Sequence, residues 1–246
     1  MSEYLVTGNE YVSLPTIRQR DGAIESLSFL HMGAKGMIEL CGSSDKPFIA
    51  PFAEINGLSL PEGGLRWKRL NSWVPQFEAE YGGCKLEGTL LAPIGERGFG
   101  YRLVLNAGAD GVGYKLGVNG CWAEALHSVN ESKPIATEKH VYASGWNHSF
   151  VMDMRPGLSL FAFAPIFTED RTTCDVQDWF EKRGDQVSFG LELHGRLEPG
   201  ESKELCIWFG LGFEEVAAST SAKEMLRQGY EAELQKTLDW LAKRER

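Results

Sequence analysis

Between Trp73 and Asn106 the chain reads WVPQFEAEYGGCKLEGTLLAPIGERGFGYRLVLN, and this stretch limits the fold more than any other. Three β-rich runs, Gln76 to Tyr81, Lys85 to Ala92 and Gly100 to Asn106, are separated by Gly82-Gly83 and by the turn cluster Pro93-Ile-Gly-Glu-Arg-Gly98. Side chains alternate along a strand, so Phe77, Ala79 and Tyr81 share one face of the first run, and Tyr101, Leu103 and Leu105 one face of the third. Glu78, Glu80 and Arg102 fall on the wetter face. The pattern predicts an antiparallel meander with a core side and a solvent side. It contains no nucleophile, metal cluster or phosphate loop.

The same grammar runs through most of the 246 residues. Short β-like runs precede the meander, with a hairpin signal at Gly33-Ala-Lys-Gly36, a loop from Cys41 to Pro51 and an edge strand over Phe52 to Leu60. After it, Asn119-Gly120 between Tyr114–Val118 and Cys121–Val129 predicts a two-residue hairpin, because both residues tolerate positive φ. Gly111-x-Gly113-x-x-x-Gly117 lacks the spacing of a nucleotide loop, and no helical pattern follows it. His140 to Ser144, Ser149 to Asp153 and the nearly all-apolar Leu158 to Ile166 read as strands, the last of them central. Thr168 to Asp185 is a polar excursion in which Asp175 to Lys182 predicts a turn or two of helix. Two more strands follow, Val187 to Leu197 and Lys203 to Gly212, joined by a turn at Glu198-Pro-Gly-Glu-Ser202.

Then the period changes. From Thr220 to Arg244 apolar residues recur at Ala222, Met225, Leu226, Tyr230, Leu234, Leu238 and Leu241, the spacing of an amphipathic helix. Ser219 and Thr220 are candidate N-caps, and Gly229 either splits the segment or allows close packing. The expected fold is a large two-sheet antiparallel β-sandwich over residues 1–213 with a helical tail over 214–246. The apolar stripe has to be buried against this domain, a second copy or a separate barrel; the expectation for an isolated monomer is that Met225, Leu226, Leu234 and Leu238 are exposed, with homodimerisation through the tail one way to cover them.

Charge and cysteine usage narrow the function classes. A net charge of −9 argues against nucleic acid or an anionic membrane as the main partner. No run approaches the ~18 apolar residues of a membrane span, and the polar start has no signal-peptide pattern. Five widely spaced cysteines without a C-x-x-C pair fit reduced thiols and a cytoplasmic location. The five histidines show no metal-ligand spacing, so neither metal nor cofactor is expected.

Candidate ligand contacts come from aromatic and polar groups on turn-like segments. Trp146 lies in Ser144-Gly-Trp-Asn-His148, and Trp179 lies beside Asp178 in the acidic excursion with Asp170, Arg171, Asp175 and Glu181. A flat indole suits the apolar face of a pyranose and a neighbouring carboxylate or imidazole suits its hydroxyls, which singles out Trp146, His148, Asp178 and Trp179. His140 and His148 either converge with Asp153 across a hairpin or simply hydrogen-bond within or beside a sheet.

The order of these features resembles a known family. Trp73 with Phe77-Glu-Ala-Glu-Tyr81, then Glu87-Gly-Thr-Leu-Leu-Ala-Pro93, then Tyr101-Arg-Leu-Val-Leu-Asn106, is similar to the galactose-mutarotase-like β-supersandwich domain that precedes the (α/α)6 barrel in glycogen-debranching- and glucoamylase-type glycosidases and related sugar phosphorylases. Leu197-Glu-Pro-Gly-Glu-Ser202 is similar to the last hairpin of such domains, and Ala222 to Arg246, with Thr237-Leu-Asp-Trp-Leu241, to the helices leading into the barrel. The resemblance implies a carbohydrate-linked context and a helical catalytic domain in the same or another chain. Because the family's catalytic acid and base belong to the barrel, no catalytic residue carries over here. The expected role is a non-catalytic module; the alternative is a stand-alone sandwich that binds or converts an oligosaccharide.

Overall fold

A computed structural model describes residues 3–31, 36–127, 133–134, 136–144, 147–155, 159–167, 175–183, 186–212 and 215–244. The first strands are β1 (Tyr4–Gly8), β2 (Val12–Arg18), β3 (Ser26–His31), β4 (Gly36–Cys41), β5 (Ala50–Ile55), β6 (Leu58–Ser59) and β7 (Arg66–Leu70). The meander follows as β8 (Val74–Tyr81), β9 (Cys84–Leu91) and β10 (Gly98–Ala107), then β11 (Val112–Trp122), β12 (Glu124–His127) and β13 (Lys133–Pro134). The remaining strands are β14 (Ala136–Ser144), β15 (Asn147–Arg155), β16 (Ser159–Phe167), β17 (Asp175–Arg183), β18 (Gln186–Leu197) and β19 (Ser202–Gly212). Two helices close the chain, α1 (Glu215–Gln228) and α2 (Tyr230–Arg244).

Three antiparallel sheets result, ordered β1-β2-β3-β4-β12-β13, β14-β15-β16-β19-β10-β9-β8-β7 and β17-β18-β11-β5-β6. The first and third are stitched together. Ile24 and Ile49 exchange backbone hydrogen bonds of 2.7 and 3.0 Å, and β11 runs through Ala123, whose N–H donates to Cys41 O at 3.0 Å, into β12. One continuous core joins this composite layer to the eight-stranded sheet, with Leu14 and Phe29, Phe77 and Tyr101, and Leu116 and Phe189 drawn from the three sheets. Polar groups cross the same gap: Tyr101 donates to Gly22 O at 3.0 Å, and Trp67 Nε1 to Gln19 O at 2.7 Å. The all-β sandwich with a helical tail is therefore observed, built from three sheets where the sequence suggested two.

The meander forms as its turns dictate. Gly82 and Gly83, at φ 57° and 76°, make the two-residue loop between Tyr81 and Cys84, a conformation that matches the twist of the paired strands. Asn119-Gly120, the other hairpin signal, lies inside β11, paired with Gly190 and Phe189 of β18. A Cβ at Gly120 would stand 2.7 Å from the Phe189 ring and would strike the carbonyl of Phe48, so the glycine there makes room and turns nothing. The same arrangement recurs between paired strands: the Phe77 ring lies against Gly88, Trp208 against Gly100 and Tyr114 against Gly195, each pair in register.

Asp175 to Lys182 is also strand and not helix. β17 pairs with β18 along its whole length, and Gln177, Trp179, Glu181 and Arg183 repeat every second residue as an exposed row, a period-two pattern that a polar edge strand can carry.

The helices cover the outer face of the eight-stranded sheet. α1 begins at Glu215, which puts Ser219 and Thr220 inside it and not at its cap, and Gly229, at φ 85°, separates it from α2. α1 reaches β19 closely because Gly210 and Gly212 lack side chains where the small residues Ala217, Ala218 and Ala222 arrive. A second core follows, formed by Val74, Leu91, Cys206, Trp208, Met225 and Tyr230, with Leu226, Leu234 and Leu238 packed against it. Met225 is fully buried. The stripe expected to be exposed is thus covered within the same chain, and no second copy is needed to bury it.

Within this interface Glu233 is 0% exposed. Its Oε2 lies 3.0 Å from Lys236 Nζ, itself 3.2 Å from Glu96, while Oε1 has no partner. Burial, only partly offset by Lys236, raises this carboxyl above the usual range.

Candidate functional site

No helix among the described residues is long and apolar enough to cross a membrane. Two surface features could receive a ligand.

The first is a groove of about 720 Å³ between the β1–β2 edge, the turn before β8 and the last turn of α2. The ladder between β1 and β2 shifts register between Leu5 and Thr7, and Val6 there is 39% exposed at its rim. Trp73 forms one wall, its Nε1–H fixed to Gly8 O at 2.8 Å. Trp240 forms another, with the Arg244 guanidinium 3.8 Å from the ring centre. Asn9 is fully committed: its Oδ1 accepts from Tyr11 and Val12 N–H, and its Nδ2 donates to Pro93 and Glu96 carbonyls. Glu10 is the one carboxylate among the described wall residues, so the wall itself does not supply the two carboxyl groups that glycoside hydrolysis uses.

The second feature is the outer face of the five-stranded sheet. Trp179 on β17 is 42% exposed and pairs with Gly190 of β18. A Cβ at Gly190 would stand 2.5 Å from the indole nitrogen, so the ring lies on bare backbone. From the other side, Phe52 on β5 pairs with Gly117 of β11, and its ring would come within 2.9 Å of a Cβ there. Glu192 and Asn119, half-buried, stand between the two rings in register with Gly117 and Gly190. Glu192 accepts a 2.9 Å contact from His194 Nε2, and Lys115 pairs with Glu54 at 3.2 Å.

Of the residues singled out in the sequence, those that are described lie in two different sheets. Trp146 lies outside the described residues, as do Asp170 and Arg171. His148 sits in β15 of the eight-stranded sheet opposite Ala143, while Asp178 and Trp179 sit in β17 of the five-stranded sheet opposite Leu191 and Gly190. Of the two alternatives for the histidines, convergence of His148 with Asp153 is not the one observed, because five residues of one strand separate them by about 17 Å. His140 faces Val151, diagonal to Asp153. Phe52, Asn119 and Glu192 gave no local signal, since only sheet register brings them beside Trp179.

No protein-family model matches the chain, and no curated protein does. Solved structures do. A putative kojibiose phosphorylase from the human microbiome superposes with a TM-score of 0.63 at 12% identity, over 96% of this chain and 35% of that one. The fold is similar to that of about a third of that chain. A bacterial glucoamylase complexed with acarbose matches at a TM-score of 0.51 and 11% identity, over 99% of this chain and 37% of its own. This chain therefore spans about a third of the length of the structures it matches, and at these identities the likeness speaks to fold alone.

Proposed function

We propose that this chain is a non-catalytic β-sandwich module of a carbohydrate-active enzyme of the glycoside hydrolase or phosphorylase kind, acting with an (α/α)6 catalytic domain in the same or another chain. The observation that carries the reading is the match of almost the whole chain to about a third of a phosphorylase and of a glucoamylase. In this reading residues 214–246 are the linker helices, seated on the sandwich before the chain meets its catalytic partner. The buried thiols Cys84, Cys121 and Cys206 fit a reducing cytoplasm.

The test is turnover. The chain alone is incubated with kojibiose plus phosphate and with α-glucosides, then again with a helical catalytic domain encoded beside it. No product from the chain alone, and product once the domain is supplied, is the expected pair of results. Turnover by the chain alone overturns the reading. The alternative, a stand-alone sugar-binding sandwich, draws support from the two indoles of the groove, Trp73 and Trp240. It expects saturable oligosaccharide binding with no partner required.

A further inference from the structure

We infer that the outer face of the five-stranded sheet is a binding platform for a neutral oligosaccharide, with Trp179 and Phe52 as stacking surfaces and Glu192 and Asn119 as hydroxyl partners. This deepens the carbohydrate-linked reading above and rests on it.

The geometry follows from register. Across β17, β18, β11 and β5 one row reads Trp179, Gly190, Asn119, Ala50, and the row two residues along reads Gln177, Glu192, Gly117, Phe52. Residues in register share a face, and so do residues two apart, so all eight point the same way. The alternate residues, Phe189, Leu191, Leu116 and Val118, are buried in the core, which makes this the outward side. Each ring leans inward from a flanking strand onto a glycine of a central strand. Two residues along a strand and one strand across separate those glycines by about 8 Å, so the rings can serve neighbouring sugar units. The opposite diagonal is polar. Glu192 offers acceptors, and the Asn119 amide offers both a donor and an acceptor.

Charge matching selects the ligand class. Glu192 is met by His194, Glu54 by Lys115, and Glu181 by Arg183 at 2.8 Å. Among the described side chains of this face Glu54 and Glu181 each stand against a cation and Glu192 against a histidine, which leaves no cluster of like charge there for a phosphate, a polyanion or a cation. A pyranose needs none. It presents an apolar C–H face to an aromatic ring and hydroxyls around its rim, and this surface has flat rings with donors and acceptors between them. The aromatic–glycine pairs also hold the register of the sheet, so the platform is set before any ligand arrives.

The experiment uses the whole chain. Kojibiose and, separately, maltotetraose are titrated into ¹⁵N-labelled protein while the indole N–H signals are followed, with the Trp179 signal identified from Trp179→Phe. The expected result is a saturable shift of the Trp179 signal with a Kd of about 1 mM, the weak range suited to a shallow surface. Trp179→Ala weakens binding about fivefold or more, and Trp179→Phe, which keeps a flat ring, restores part of it. Gly190→Ala, which pushes the indole off the sheet, weakens binding with the aromatic ring still present. Shifts confined to Trp73 and Trp240 would place the sugar in the groove and overturn the platform. No shift of any indole signal up to about 20 mM sugar, well past that Kd, would overturn it too. In either case the turnover test decides the module reading separately, since it asks only whether a helical domain restores catalysis.

Discussion

Met225 is the clearest place to ask whether the helical tail is part of the folded unit. It lies on α1, is fully buried, and its terminal methyl rests against Gly98, the first residue of β10. Met225→Ala removes three side-chain heavy atoms. At about 0.8 kcal/mol for each buried methylene-sized group, the transfer loss is about 2.4 kcal/mol. The neighbours Val74, Leu91, Trp208 and Tyr230 sit on strands or on the other helix and are held in place, so the vacated space closes poorly and the cavity brings the total to about 3 kcal/mol. For a chain of this size each kcal/mol lowers the midpoint of thermal unfolding by about 2–4 °C, so a fall of about 6–12 °C is expected. Thermal melts followed by far-ultraviolet circular dichroism and by tryptophan fluorescence should fall together, because Trp208 reports from the second core itself. A drop below about 2 °C in both signals, or a fluorescence transition well ahead of the dichroism transition, would refute the claim that the tail and the sandwich unfold as one body.

Two further substitutions address the interior. Burial raises the Glu233 carboxyl, so the folded chain binds that proton more tightly than the unfolded chain does; the contribution is full below the unfolded value near pH 4.3 and is lost as pH rises through the folded one. Glu233→Gln should accordingly be more stable than the parent at pH 7.5, with the gap narrowing toward pH 4.5 in urea unfolding; a gap that widens toward acid contradicts the assignment. Gly88→Ala forces a methyl into the Phe77 ring and should cost about 1–3 kcal/mol, and Phe77→Leu in the same chain should return part of it. Strict additivity of the two substitutions in a double-mutant cycle would show that ring and glycine are not coupled.

The parts of the fold visible in the sequence are those governed by neighbours along the chain. The meander is legible because Gly82-Gly83 and Pro93 to Gly98 punctuate alternating runs, and the tail because apolar residues change to a helical period near Ala222. Most of what escaped notice depends on partners far away in sequence. β17 is the exception: it looks helical in composition and becomes a strand because β18, the next element along the chain, offers it a ladder. Asn119-Gly120 looks like a turn, yet Phe48 and Phe189 need the space its missing side chain leaves. The apolar stripe of the tail finds Trp208, whose outward direction on β19 depends on which face of the sheet the core takes. The same limit applies to the candidate platform. Trp179 is conspicuous as an aromatic residue in an acidic segment, but Phe52, Asn119 and Glu192 lie 13 to 127 residues away and join it only through strand order.

The aromatic–glycine pairs bear on how such a chain reaches its fold. A strand slipped by two residues keeps every apolar side chain on its proper face, so hydrophobic alternation alone does not reject the error. Ring-on-glycine pairing does. After such a slip Phe77 would meet Leu86 or Leu90 in place of Gly88, Tyr114 would meet Leu193 or Leu197 in place of Gly195, and Phe189 would meet Val118 or Trp122 in place of Gly120. Each misalignment sets two bulky groups where the native sheet has one. In a topology dominated by long-range strand pairing, where the search is slow, these pairs act as a proofreading device: misaligned sheets stay loose enough to separate, and the aligned one closes.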